Sequence, residues 1–133
     1  MGKHFSDSLL FVCHVMSSDD DQPIVMDIYA GITSRNELAV AVDYYDYEDP
    51  QYNCSTAAIV DTHDARRMAG RHKIAYHELP WLIAESMEEW RKIINPTLSQ
   101  VRNCFREIIE CLLDEECRFE IIRTYGEGGS ICC

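Results

Sequence analysis

The apolar residues of this 133-residue chain change their repeat near Val60. Before that point they recur at every second position, and after it at every third or fourth. The first spacing lines one face of a strand and the second one face of a helix. "PIVMDIYAGI" (23–32) alternates, with Ile24, Met26, Ile28 and Ala30 on one side and Val25, Asp27 and Tyr29 on the other. "ELAVAVDYYDY" (37–47) places Leu38, Val40, Val42 and Tyr44 on one face, leaving Asp43, Tyr45 and Tyr47 together on the other. "CSTAAIV" (54–60) reads as a fourth strand. "LLFVCHVM" (9–16) is apolar on both alternating sets, which predicts a central strand covered on both faces, with His14 satisfied in the core. The breaks "SSDDDQ", "TSRN" and "EDPQYN" have turn composition and hairpin length.

Beyond Val60, "DTHDARRMAG" reads as a short helix capped by Asp61 or Thr62 and stopped at Gly70. "ELPWLIAESMEEWRKII" carries Ile83, Met87, Trp90 and Ile94 at helical spacing. "NPTLSQVRNCFREIIECLLDEE" opens on Asn95 as cap with Pro96 in the first turn, and its stripe is Leu98, Val101, Phe105, Ile108 and Leu112. "CRFEIIRTY" (117–125) closes the pattern as a last strand. Strands first and helices after predict an α+β fold: an antiparallel sheet of four to five strands, beginning as a meander, with about three helices on one face. No linker divides the chain, so residues 1–133 form one domain, with 126–133 expected as a flexible tail.

Charge is distributed as unevenly as periodicity. The net charge is -11, of which residues 1–60 hold -8 and residues 61–133 only -3. So acidic a surface argues against nucleic acid as a partner, since phosphates are met with Lys and Arg. In a meander, alternate loops share an end of the sheet. Asp19, Asp20 and Asp21 of the first loop then share an end with Glu48 and Asp49 of the third (47–53), beside Asp46 and Tyr52. The second loop, with Arg35, falls at the other end beside Arg66, Arg67, Arg71 and Lys73. A polarised molecule follows, with Asp43, Tyr45 and Tyr47 pointing toward the acidic end. Tyrosine offers contact area at low entropic cost and keeps a hydrogen-bonding tip.

Chemistry finds little support. The acidic loops lack the glycine and ligand spacing of a calcium loop, and His63, His72 and His77 do not share a helical face or form an HxxxH pair. No GxSxG, P-loop or GxGxxG motif is present, and "YGEGGS" lacks the following helix and Lys of a phosphate cradle. "THD" (62–64) does not by itself make a triad, and "RRMAGRHK" reads as the solvated face of a helix. The seven cysteines are irregularly spaced, and Cys13, Cys54, Cys104 and Cys111 are expected as reduced, buried residues of a cytoplasmic protein. "LLFVCHVM" is too short to cross a membrane. "MGKHFS" and the closing "CC" match loose lipidation patterns at Gly2, Cys132 and Cys133, but neither has the basic cluster that usually supplies a second membrane signal.

The expectation is a small acidic binding protein, not an enzyme and without cofactor or metal. It would occlude a basic partner protein, in the manner of a toxin-neutralising immunity protein or nuclease inhibitor, with a nuclease-type toxin as one such partner. Asp19, Asp20, Asp21, Asp43, Tyr45, Asp46, Tyr47, Glu48, Asp49 and Tyr52 would carry the contact. A small enzyme or ligand-binding domain is the alternative and predicts a pocket with converging polar groups between sheet and helices. A lipidated adaptor is the third.

Overall fold

The computed structural model describes residues 9–18 and 23–125. Strands β1 (Leu9–Ser17), β2 (Ile24–Thr33), β3 (Leu38–Asp46) and β4 (Cys54–Val60) come first. Helices α1 (Thr62–Arg71), α2 (Leu79–Ser86), α3 (Glu88–Arg91) and α4 (Leu98–Asp114) follow, and β5 (Phe119–Tyr125) closes the order. All neighbouring strands run antiparallel in the order β1-β2-β3-β4-β5. The expected α+β meander is therefore present, with five strands. The expected flexible tail and the lipidation positions Gly2, Cys132 and Cys133 lie outside the described residues.

Register is set by the turn at residues 34–36. Asn36 sits at φ 62, a left-handed position that asparagine tolerates better than most residues. The Thr33 hydroxyl accepts from the backbone N–H groups of Arg35 and Glu37. From that turn the pairing runs unbroken from Ile32↔Leu38 to Ile24↔Asp46. The alternation then sends Met26, Ile28, Ala30, Ile32, Leu38, Val40 and Val42 to one face. All four helices pack there: α1 through Ala65, Met68 and Ala69, α2 through Leu79, Ile83 and Ala84, Met87 at the α2–α3 junction with Trp90 of α3 against the cluster, and α4 through Val101, Cys104, Ile108 and Leu112. Leu79, Ile108 and Leu112 are fully buried, each worth about 1.5–3 kcal/mol over exposure.

Four local expectations are corrected. First, β1 is an edge strand, and His14 is exposed on the face that carries no helix. The pairing shifts between His14 and Met16, a bulge that turns both Val15 and Met16 to the helix side. A bulge thus mimics the doubly apolar run of a central strand. Second, the long helical stretch breaks at Met87 (φ -102, ψ 24), which takes Ile94 out of phase with Ile83 and leaves it 86% exposed. Third, Gly70 lies inside α1, which runs to Arg71 and is closed beyond its end by Lys73 with φ 58. There the N–H groups of Lys73 and Ile74 bond the carbonyls of Gly70 and Ala69, a Schellman closure without glycine. Glu116 (φ 61) closes α4 in the same way, with Cys117 N–H on the Leu112 carbonyl. Fourth, Thr97 and not Asn95 caps α4: its hydroxyl accepts from Gln100 N–H while the Gln100 side chain accepts from Thr97 N–H.

The run "RRMAGRHK" is spent on tying α1 to the far end of α4. Arg67 donates to the Glu116 carbonyl at 2.7 Å and Arg71 to the Glu115 carbonyl at 2.9 Å, cations placed where a helix carries its negative pole. His72 Nε2 lies 2.7 Å from Glu115 Oε2. Asp64 of "THD" is buried and accepts from Arg67 and from both the backbone and the side chain of Arg118. The Arg118 bonds hold the Asp64 carboxyl well below the usual carboxylate range. Its role is to fasten β5 to the start of α1.

The cysteines divide. Cys13, Cys104, Cys111 and Cys117 are free, and Cys54 is disulfide-bonded, which corrects its expected reduced state. Bonding depends on distance across the fold, which sequence spacing does not report. Burial pushes the Cys104 thiol up to about 12.

Candidate docking surface

The second face of the sheet carries a row of polar side chains, one from each strand. Register places Ser17 beside Asp27, Asp27 beside Asp43, Asp43 beside Ser55, and Ser55 beside Thr124. The next row toward the Arg35 end is His14, Tyr29, Ala41, Ala57 and Ile122. Tyr29, Ala41 and Ala57 form a small buried cluster there, with Ile59 packed against it.

Asp43 is the centre of this arrangement. It is 2% exposed and accepts from two phenols, Tyr29 at 3.0 Å on one oxygen and Tyr45 at 2.9 Å on the other. Burial first and the Asp43 charge second raise the Tyr45 pKa far above that of a free tyrosine. Tyr45 therefore keeps its proton and lends it to Asp43, and is neither a base nor a nucleophile at neutral pH. Its ring lies against Tyr47, with centroids 6.3 Å apart and planes 17° from parallel. Tyr47 itself is 68% exposed. A buried carboxylate thus fixes one tyrosine, and that tyrosine supports a second one at the surface.

Beyond Tyr45 the chain turns. The Asp46 carboxylate accepts from the N–H groups of Glu48 and Asp49, each at 3.0 Å, and the Asn53 side chain accepts from Asp46 N–H. A single 3-10 turn at Pro50–Tyr52 completes the loop and leaves Tyr52 40% exposed. The Tyr47 N–H bonds the Pro23 carbonyl, so the end of β3 and the start of β2 meet here. Of the expected contact residues, the fold brings together Asp43, Tyr45, Asp46, Tyr47, Glu48, Asp49 and Tyr52. Asp43 is enclosed beneath the surface. Asp19, Asp20 and Asp21 lie outside the described residues, whose nearest members, Ser18 and Pro23, flank this same end.

Sequence reasoning placed Asp27 and Tyr29 on the correct face of β2 but did not connect them to Asp43. The connection follows from register alone: once the turn at 34–36 is recognised, Asp27 must face Asp43. Asp27 lies 3.9 Å from His14 Nε2 and accepts from the Ser17 hydroxyl. The His14 imidazole and the Ser17 hydroxyl hold its carboxyl below the usual range, against the cost of burial. These three residues do not make a nucleophilic triad, because the serine bonds the carboxylate directly and the imidazole does not stand between them. Among the described residues no group of three or more His, Cys, Asp or Glu is placed to hold a metal ion. No described helix is long and apolar enough to cross a membrane. No family model, curated protein or solved structure matches this chain.

Proposed function

We propose that the protein is a small acidic binding protein that occludes a basic partner protein. The profile is that of a toxin-neutralising immunity protein or a nuclease inhibitor, and on this reading the chain is not an enzyme. The observation that carries it is the Tyr45–Tyr47 stack, fixed from below by buried Asp43 and bordered by Asp46, Glu48 and Asp49. An aromatic anchor already held in place loses little entropy on binding. The surrounding carboxylates would speed encounter and match the Lys and Arg that the partner uses on its own substrate. Cytoplasmic residence belongs to the same proposal, and it requires that the fold tolerate reduction of the Cys54 disulfide, since that compartment keeps thiols reduced.

The test is affinity capture from the source lysate at low and high salt, with wild type beside the triple variant Asp46→Asn, Glu48→Gln, Asp49→Asn. Wild type is expected to retain a basic protein that salt releases, and the variant to lose it. A partner held equally by both proteins, or indifferent to salt, rejects the acidic surface as the contact.

A further inference from the structure

A cavity of about 240 Å³ opens on the other face of the sheet, under α4. Its floor is apolar: Met26 and Val42, 1% and 5% exposed, with Phe105 of α4 alongside. Its remaining lining is three arginines and a threonine. Arg102 and Arg106 come from successive turns of α4 and Arg123 from β5, with Thr56 of β4 between them and the floor.

Arg106 also borders Glu107 and Glu110 on the outer side of α4, yet none of the three arginines is held in an ion pair among the described residues. Those pairs engage His14, Arg67, Arg71, His72, Lys92 and Arg118. Arg106 donates only to the neutral amide of Asn103. Acidic side chains outnumber basic ones 23 to 12 in this protein, yet among the described residues no carboxylate lines the cavity. Like charges four residues apart on a helix repel, and Arg102 and Arg106 are such a pair, with Arg123 lining the same cavity. An anion would relieve that repulsion, and the planar guanidinium suits carboxylate and phosphate oxygens in pairs.

We propose that this cavity binds a small organic anion: an apolar body on Met26, Val42 and Phe105, and a carboxylate or phosphate head facing the three arginines. Drug-sized sites occupy roughly 300–1,000 Å³, so the smaller volume here suits a single ring or a short chain. A nucleic acid is disfavoured by the net charge of -11. The site is independent of the docking surface, because Asp43 and Tyr45 lie on the opposite face of the sheet.

The experiment titrates the 133-residue chain with benzoate, phenyl phosphate, inorganic phosphate and benzyl alcohol. Binding is followed by calorimetry and by the amide resonances of Val42, Thr56 and Arg102. Saturable binding of benzoate or phenyl phosphate is expected, with the stronger of the two naming the head group and with benzyl alcohol at least tenfold weaker. Arg102→Gln and Arg123→Gln should each weaken binding by about tenfold, as expected for one lost charge-assisted hydrogen bond. Both arginines are exposed, so the variants should melt no lower than wild type, which separates lost binding from lost folding. The proposal is overturned by equal binding of benzyl alcohol, by inorganic phosphate matching phenyl phosphate, by variants that bind like wild type, or by no saturable shift with any probe.

Discussion

Asp27 and Asp43 are register partners on adjacent strands, and each carboxylate draws on its own donors. Ser17 serves Asp27, while Tyr29 and Tyr45 serve Asp43. Two carboxylates side by side would ordinarily repel, and the separate donors are what make the pairing tolerable. The consequence for Asp43 is dependence on its phenols, because a buried carboxylate that loses a donor regains nothing from water.

Tyr45→Phe keeps the ring against Tyr47 and removes the hydroxyl. A hydrogen bond to a charged group is worth roughly 1.5–3 kcal/mol, and the variant should lose about that much stability. Urea denaturation measures it. A loss below about 0.5 kcal/mol would mean that Asp43 is solvated by other means.

Asp27 gives the fold an acid-sensitive contribution. Its folded pKa is lower than its unfolded one, so the unfolded chain binds the extra proton as pH falls. The contribution is therefore present above the unfolded pKa, about 3.9, and is lost as pH drops through the folded value. Asp27→Asn should be less stable than wild type at pH 7, and the gap should close on acidification below about pH 4. Denaturation curves at a series of pH values test this, and a gap that widens in acid would reverse the sign.

Lys73 closes α1 in a left-handed conformation that costs an ordinary residue roughly 1–2 kcal/mol. Lys73→Gly should raise stability by about 1 kcal/mol, part of the relief being offset by the freer unfolded chain. Lys73→Ala keeps the strain and should gain nothing. A shift of the urea midpoint at constant slope is the expected readout.

Cys54 should differ from the other described cysteines in alkylation. In denaturant without reductant, iodoacetamide should modify Cys13, Cys104, Cys111 and Cys117 and spare Cys54 until reductant is added. Peptide mass spectrometry reads the pattern. Thermal melting with and without reductant then tests residence in a reducing compartment: a cooperative transition retained after reduction supports it, and collapse opposes it.

Where the signal was local and repetitive, the sequence was legible. Alternation at 37–47 correctly sent Val42 inward and Tyr45 outward, and the change of period at Val60 marked the start of the helices. Misreadings arose where two local rules competed. The pair Asn95–Pro96 resembles a helix start, but the Thr97–Gln100 capping box satisfies two backbone donors and prevails. Gly70 resembles a stop, but Lys73 and Glu116 accept the strain that glycine would avoid. Distant pairings left no mark at all. Asp64 meets Arg118 across 54 positions, and Arg102 of α4 and Arg123 of β5 line one cavity only once the chain has folded. The grouping of Asp46, Glu48 and Asp49 could be read directly because these residues lie within one turn of the chain.

The insertion of α1 to α4 between β4 and β5 has a consequence for the order of assembly. Strands β1 to β4 follow one another closely in sequence and can zip in order, whereas Val60 waits for Phe119. Closing so long a loop costs entropy before any contact rewards it, and non-local pairings of this kind slow folding. Until α1 to α4 have condensed, β4 presents the unpaired backbone of an open edge, and nascent chains are most vulnerable to pairing with one another at that stage.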